Sequence, residues 1–131
     1  MGKKRKTEVD KEFWPTKDDV KLFSTINPLI NSDLREIREL SKKKQDEPLN
    51  KFKINIINKK LEKAIFLLRN EPATEFLELL DEASLPTNSD AVLQISQFII
   101  ALKKFHHKYY STNGSELGLE DGSSYEWKTK D

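Results

Sequence analysis

The 131-residue chain is 34% charged and 36% hydrophobic with a net charge of +1, long enough for one domain and too apolar for wholesale disorder. It has no cysteine and only four glycines, which excludes disulfides, thiolate metal sites, a cysteine nucleophile and a glycine-rich phosphate loop. No apolar run approaches the roughly 18 residues of a membrane span. The basic start at residues 1–6 has no apolar stretch behind it and carries Lys6 where a myristoyl acceptor needs a hydroxyl, so no membrane association is expected.

Residues 1–12 hold one apolar residue beyond Met1 (Val9) and read as a flexible basic segment. Phe13 and Trp14 follow, placed to staple a first helix or to stand as an exposed ledge. Pro15, Pro28, Pro48, Pro72 and Pro86 each fall where an apolar pattern stops or restarts, and proline is expelled from helix interiors, so they punctuate a series of helices. Thr16 can cap the first, through Phe23 and Ile26, with Asp18 and Asp19 against its positive end. Asn31 or Ser32 can cap a second, with Leu34, Ile37 and Leu40 inside and Lys42, Lys43 and Lys44 at its C-terminal end.

Pro48 opens a long third helix with Phe52, Ile56, Ile57, Leu61, Ala64, Ile65 and Leu68 on one stripe. Pro72 opens a short fourth, with Phe76, Leu77 and Leu80 inside. Asn88, Ser89 or Asp90 caps a fifth, striped by Val92, Ile95, Phe98, Ile99, Leu102, Phe105 and Tyr109. Off-stripe apolar residues (Ile54, Phe66 and Leu67 on the third helix, Leu93 and Ile100 on the fifth) place these two side by side at the centre. Residues 111–131 hold three of the four glycines among serines and acids and read as a flexible Gly/Ser/acidic tail. The expectation is all-α: a single compact bundle of about five helices over residues 13–110, with flexible N- and C-terminal tails.

Charge is polarised along the chain. Residues 1–70 carry 18 Lys and Arg against 11 Asp and Glu, net +7, and residues 71–131 carry 5 against 11, net −6. Glu71, Glu75, Glu78 and Glu82 are spaced four, three and four, which on a helix sets them on one face, where like charges oppose the helix by about 0.2–0.5 kcal/mol per pair. Three compensators fit. Lys59, Lys60 and Lys63 on the preceding helix come near if the chain turns tightly at 70–72; a basic partner surface is the second; a divalent cation on Glu75, Glu78 and Glu82 is the third.

The metal reading opens a hydrolase alternative acting on nucleotides. Glu36-x-x-Glu39 and Glu78-x-x-Asp81 have the form of the magnesium-binding runs of helical pyrophosphatases, at a separation that family does not use. His106 and His107 are adjacent and diverge by about 100° on a helix, so they cannot both face one site. Lys42, Lys43, Lys44, Lys51, Lys53, Lys59, Lys60 and Lys63 form a lysine-rich face that suits phosphate contacts, but the chain's only arginines are Arg5, Arg35, Arg38 and Arg69 and no aromatic ladder interleaves the lysines. Tyr125 and Trp127 are aromatic anchors in a tail that otherwise lacks them.

The expected role is a soluble helical protein–protein interaction module, an adapter or a subunit of a larger assembly, rather than an enzyme. Its partner is a protein or a second copy, the contact residues are drawn from Lys59, Lys60, Lys63, Glu71, Glu75, Glu78, Glu82, Trp14, Tyr125 and Trp127, and no cofactor is expected. A nucleic-acid-associated role through the lysines is the alternative. The expected compartment is the cytoplasm, or the nucleus in a eukaryote.

Overall fold

In the computed structural model, which describes residues 10–112 and 125–131, three long helices make the body of the protein. They are α1 (Lys17–Lys43), α2 (Lys51–Leu67) and α3 (Asn88–Tyr109), with 3₁₀ turns at Lys11–Phe13 and Pro72–Phe76 and a two-stranded antiparallel ribbon of β1 (Tyr110–Thr112) and β2 (Tyr125–Trp127). The fold is all-α in its body, with three helices rather than five. Among the described residues no helix is long and apolar enough to cross a membrane.

Two departures from the expected five have local causes. The first two expected helices are one, because α1 runs through Pro28. Proline deprives the carbonyl four residues back of its donor, and here that residue, Ser24, lies with Pro28 on the exposed side, so water can take the donor's place. Asn31, expected as a cap, instead sends its Nδ2 back to the Asn27 carbonyl at 2.8 Å inside the helix. The expected fourth helix is only the 3₁₀ turn Pro72–Phe76 followed by an extended run over 77–81. Its backbone is claimed by other elements, as described below.

Where helices do begin, side chains satisfy the orphan amides. Thr16 and Asp19 form a reciprocal capping box on α1 and Thr87 and Asp90 another on α3, while the Asn50 side chain caps α2. The α3 cap is thus one residue before the expected candidates. Asn88 is buried and fully employed: its Nδ2 donates to the Lys44 carbonyl at 2.8 Å and its N–H to the Glu47 carbonyl at 2.9 Å. These bonds, with Leu49 N–H on the Pro86 carbonyl at 2.8 Å, lash the α1–α2 loop to the start of α3.

Helix α1, not α2, is the shared partner. It packs antiparallel along both α2 and α3, and the latter two approach each other at few points. The core comprises Phe23, Ile26, Ile30, Leu34 and Ile37 of α1, Ile54, Ile57, Leu61 and Ala64 of α2, and Ala91, Ile95, Phe98, Leu102, Phe105 and Tyr109 of α3. The buried stripe of α2 is therefore rotated from the expected one: Ile54 and Leu67 are inside, whereas Phe52, Ile56 and Phe66 are exposed. Asp19 is buried and takes both guanidinium arms of Arg69, at 3.1 and 3.3 Å, tying the start of α1 to the end of α2. Burial alone would raise the Asp19 carboxyl, but Arg69 and the Thr16 cap outweigh it and hold the carboxyl below its usual value. Its contribution to stability is therefore present at neutral pH and is lost as the pH falls through that lowered value.

The last seven residues fold back as a strap. Trp127 packs edge-on against Phe23 at 5.2 Å and against His106 at 5.4 Å, and lies 5.9 Å from Phe105. Lys128 N–H donates to the Tyr109 carbonyl and Lys130 N–H to that of Pro15, while the Asp131 carboxylate accepts from Lys17 N–H at 2.9 Å. The expected flexible C-terminal segment thus has its end on the domain. Its residues 113–124, and the basic segment 1–9, lie outside the described residues.

The continuity of α1 yields the first prediction. Pro28→Ala restores the missing backbone bond on an exposed turn, and should raise stability by about 1–3 kcal/mol, several degrees in melting temperature for a domain of this size. A melting temperature equal to or below the parent's would show the helix to be broken at residue 28.

Candidate interaction surface

The acidic stretch after α2 is laid across the gap between α2 and α3, and two amide side chains hold it there. Asn58 of α2 donates its Nδ2 to the Leu80 carbonyl at 2.9 Å and accepts from Leu80 N–H on Oδ1 at 3.0 Å. Gln94 of α3 reaches the carbonyls of Glu78 and Leu79, both at 3.4 Å. Leu77 and Leu80 turn inward to the core. A backbone whose donor and acceptor are both committed to a neighbouring side chain cannot close a helical turn of its own.

This placement disperses the glutamates. Glu71 is largely buried and joined to the end of α3: Lys108 Nζ lies 3.1 Å from its Oε1, and the Tyr109 hydroxyl donates to its Oε2 at 3.2 Å. Glu75, Glu78 and Glu82 are exposed on the 3₁₀ turn, the extended run and the following bend, and share no helical face. Among the described residues no three His, Asp or Glu side chains converge to hold a metal ion. The expected internal compensation by Lys59, Lys60 and Lys63 is also absent. Lys60 pairs with Asp33 of α1 at 2.8 Å, and Lys59 and Lys63 are exposed and form no ion pair among the described residues.

The surface that results is apolar and acidic. From residue 70 to residue 102 the chain contains six acidic residues and no Lys or Arg. Within that stretch Phe76 is 72% exposed, Leu93 63% and Ile100 55%. Phe76 lines a shallow concavity of about 200 Å³ with Glu78, Leu79, Asp81, Gln94 and Gln97, and Leu93 and Ile100 lie one helical turn to either side of Gln97. Beside it a wider groove of about 610 Å³ runs between Pro72–Ala73 and Ala101, rimmed by Lys103, Lys104 and His107. The sequence reading placed Phe76 inside and took Leu93 and Ile100 as marks of a central helix; their exposure makes them the functional candidates it missed.

The aromatic candidates divide. Trp127 is half-buried in the strap and Trp14 is half-buried beside it, with the ammonium of Lys128 6.0 Å from the Trp14 ring. Tyr125 is exposed and stacks on Tyr110 at 5.6 Å. His106 is sandwiched against Phe23 and Tyr110, while His107 faces the groove, so the two histidines point to different surroundings. No protein-family model, curated protein or solved structure matches the chain, and the reading of this surface rests on its own residues.

Burial first, then the charge and hydrogen bond of Glu71, push the Tyr109 phenol above its ordinary value of 10.0. The folded state holds that proton more tightly, so the stability it contributes is complete below about pH 10 and declines as the pH climbs toward the raised value. Phenolate absorbance in an alkaline titration of the parent, minus that of Tyr109→Phe, should show its step well above pH 10 and together with unfolding. A step centred at pH 10 would mean that the contact with Glu71 does not form.

Proposed function

We propose that this protein is a protein–protein interaction module whose docking surface is the acidic face formed by residues 70–102, a stretch without Lys or Arg that is bordered by Lys103 and Lys104. The observation that carries the reading is the exposure of Phe76, at a shallow concavity, and of Leu93 and Ile100 one helical turn to either side of Gln97 in its lining, with Glu75, Glu78 and Glu82 exposed in the same stretch. Large apolar side chains rimmed by charge are the usual composition of a contact surface: the apolar centre supplies affinity, and the charges steer the encounter and reject wrong partners. The partner this face selects is apolar and basic. The exposed Lys59 and Lys63 also fit the alternative of phosphate contact, which the acids of the neighbouring segment oppose.

Capture from a lysate of the source cells, with and without nuclease, tests both. The immobilised protein should retain specific proteins whether or not nuclease is present. A folded Phe76→Ala/Leu93→Ala variant should lose them, since hot-spot truncations cost more than about 1 kcal/mol each, roughly tenfold or more in affinity when combined. Retention that disappears with nuclease and survives the double substitution would overturn the reading in favour of nucleic acid.

A further inference from the structure

The outer side of α2 carries a second unpartnered stripe. Phe52, Ile56, Lys59, Lys63 and Phe66 are spaced four, three, four and three, and all five are exposed. That spacing follows one face of a helix for about 21 Å. It lies on the side of α2 away from Ile57, Leu61 and Ala64, which face the core. Phe52 is 71% exposed. Phe66 carries the Arg69 guanidinium 4.3 Å from its ring centroid, but that charge is already paired with Asp19, so the cations the stripe offers are Lys59 and Lys63. An apolar line with Lys59 and Lys63 along it is the chemistry that the acidic face selects.

We infer that the two surfaces meet between copies of this chain: the Phe52–Ile56–Phe66 stripe of one molecule, with Lys59 and Lys63, docks on Phe76, Leu93 and Ile100 of another, against Glu75, Glu78 and Glu82. The inference rests on the docking reading above and names its partner. Charge complementarity selects the second copy. Among the described residues Lys59 and Lys63 form no ion pair, with the exposed Glu62 the one acid between them on α2, Glu75, Glu78 and Glu82 form none either, and the internal pairs Asp33–Lys60, Asp19–Arg69 and Glu71–Lys108 are already closed. Because two different surfaces meet, the contact is not confined to one symmetric patch, and each molecule keeps one stripe and one face to offer. Exposed charge pairs contribute modestly and are screened by salt, so the association is weak, reversible and strongest at low ionic strength.

Sedimentation of the purified full chain over a range of concentrations tests the inference. The parent should shift from monomer to larger species as concentration rises at about 0.01 M ionic strength and should return to monomer near 1 M, where the Debye length falls from about 30 Å to about 3 Å. Lys59→Glu/Lys63→Glu and Glu78→Lys/Glu82→Lys alter only exposed side chains, and circular dichroism should confirm that each is folded. Each variant alone should associate at least about tenfold more weakly than the parent, and an equal mixture of the two should recover association, because the reversed charges again oppose one another. A parent that stays monomeric at every concentration overturns the self-docking and leaves the lysate test of the face to stand or fall separately. Association that ignores both reversals, or a mixture no stronger than its components, also overturns it.

Discussion

The bidentate grip of Asn58 on the backbone of Leu80 determines what this protein shows to its surroundings. Those two bonds, at 2.9 and 3.0 Å, fix residues 77–81 as an extended run across the gap between α2 and α3. Once that segment is extended, only Leu77 and Leu80 of its apolar residues are buried, and Phe76 is left outside. Glu78 is freed from the helical face that would have set it against Glu75 and Glu82. A helix there would have concentrated four carboxylates on one side; instead Glu75, Glu78 and Glu82 are exposed at separate points, Glu78 on the rim of the concavity beside Phe76, and Glu71 pairs with Lys108 and Tyr109. The exposed face is thus a consequence of how the backbone hydrogen bonds of one short segment are satisfied.

The rest of the fold supplies the rigidity that this arrangement needs. Helix α1 joins the other two, and its charged ties lie at separate points along them: Asp19 with Arg69 at one end, Asp33 with Lys60 further along. At the opposite end Asn88 and Leu49 lock the two loops together. The C-terminal strap closes the remaining edge, with Trp127 covering Phe23 and Phe105, and Asp131 accepting from the first turn of α1. Partly buried ion pairs of this kind add little net energy beyond what apolar residues would give, but removing one partner is costly, so they favour one register over others.

How much of this was legible in the sequence follows from the range of each interaction. The Thr16 cap is local and legible in the sequence, although the reciprocal bond from Asp19 emerges only in the structure. The helical period of α3 was legible because its buried residues recur on one face. The run through Pro28 was not, because its tolerance depends on which side of α1 faces water, a tertiary fact. Nor was the loss of the fourth helix, since Asn58 lies 22 residues from Leu80 and an asparagine inside a helix gives no sign of what it will bind. The exposed apolar residues misled for a related reason: Leu93 and Ile100 are apolar enough to suggest burial, and composition cannot distinguish a buried face from a docking face. The strap was hidden by a tail rich in glycine and serine, although Tyr125 and Trp127 were the residues in it that stood out.

Hydrogen exchange at the Leu80 amide is the most direct test of the central constraint. Leu80 N–H has the Asn58 side chain as its acceptor, so in the folded protein it should exchange at least about a hundredfold more slowly than an unstructured amide, although it lies outside any helix. In a folded Asn58→Ala variant that protection should collapse, while the amides of Ile95 and Leu102 in the α3 core stay slow. A Leu80 amide that exchanges in the parent as freely as an unstructured one would contradict the account, because the acidic segment would then be unfastened and its exposed face would have no fixed shape.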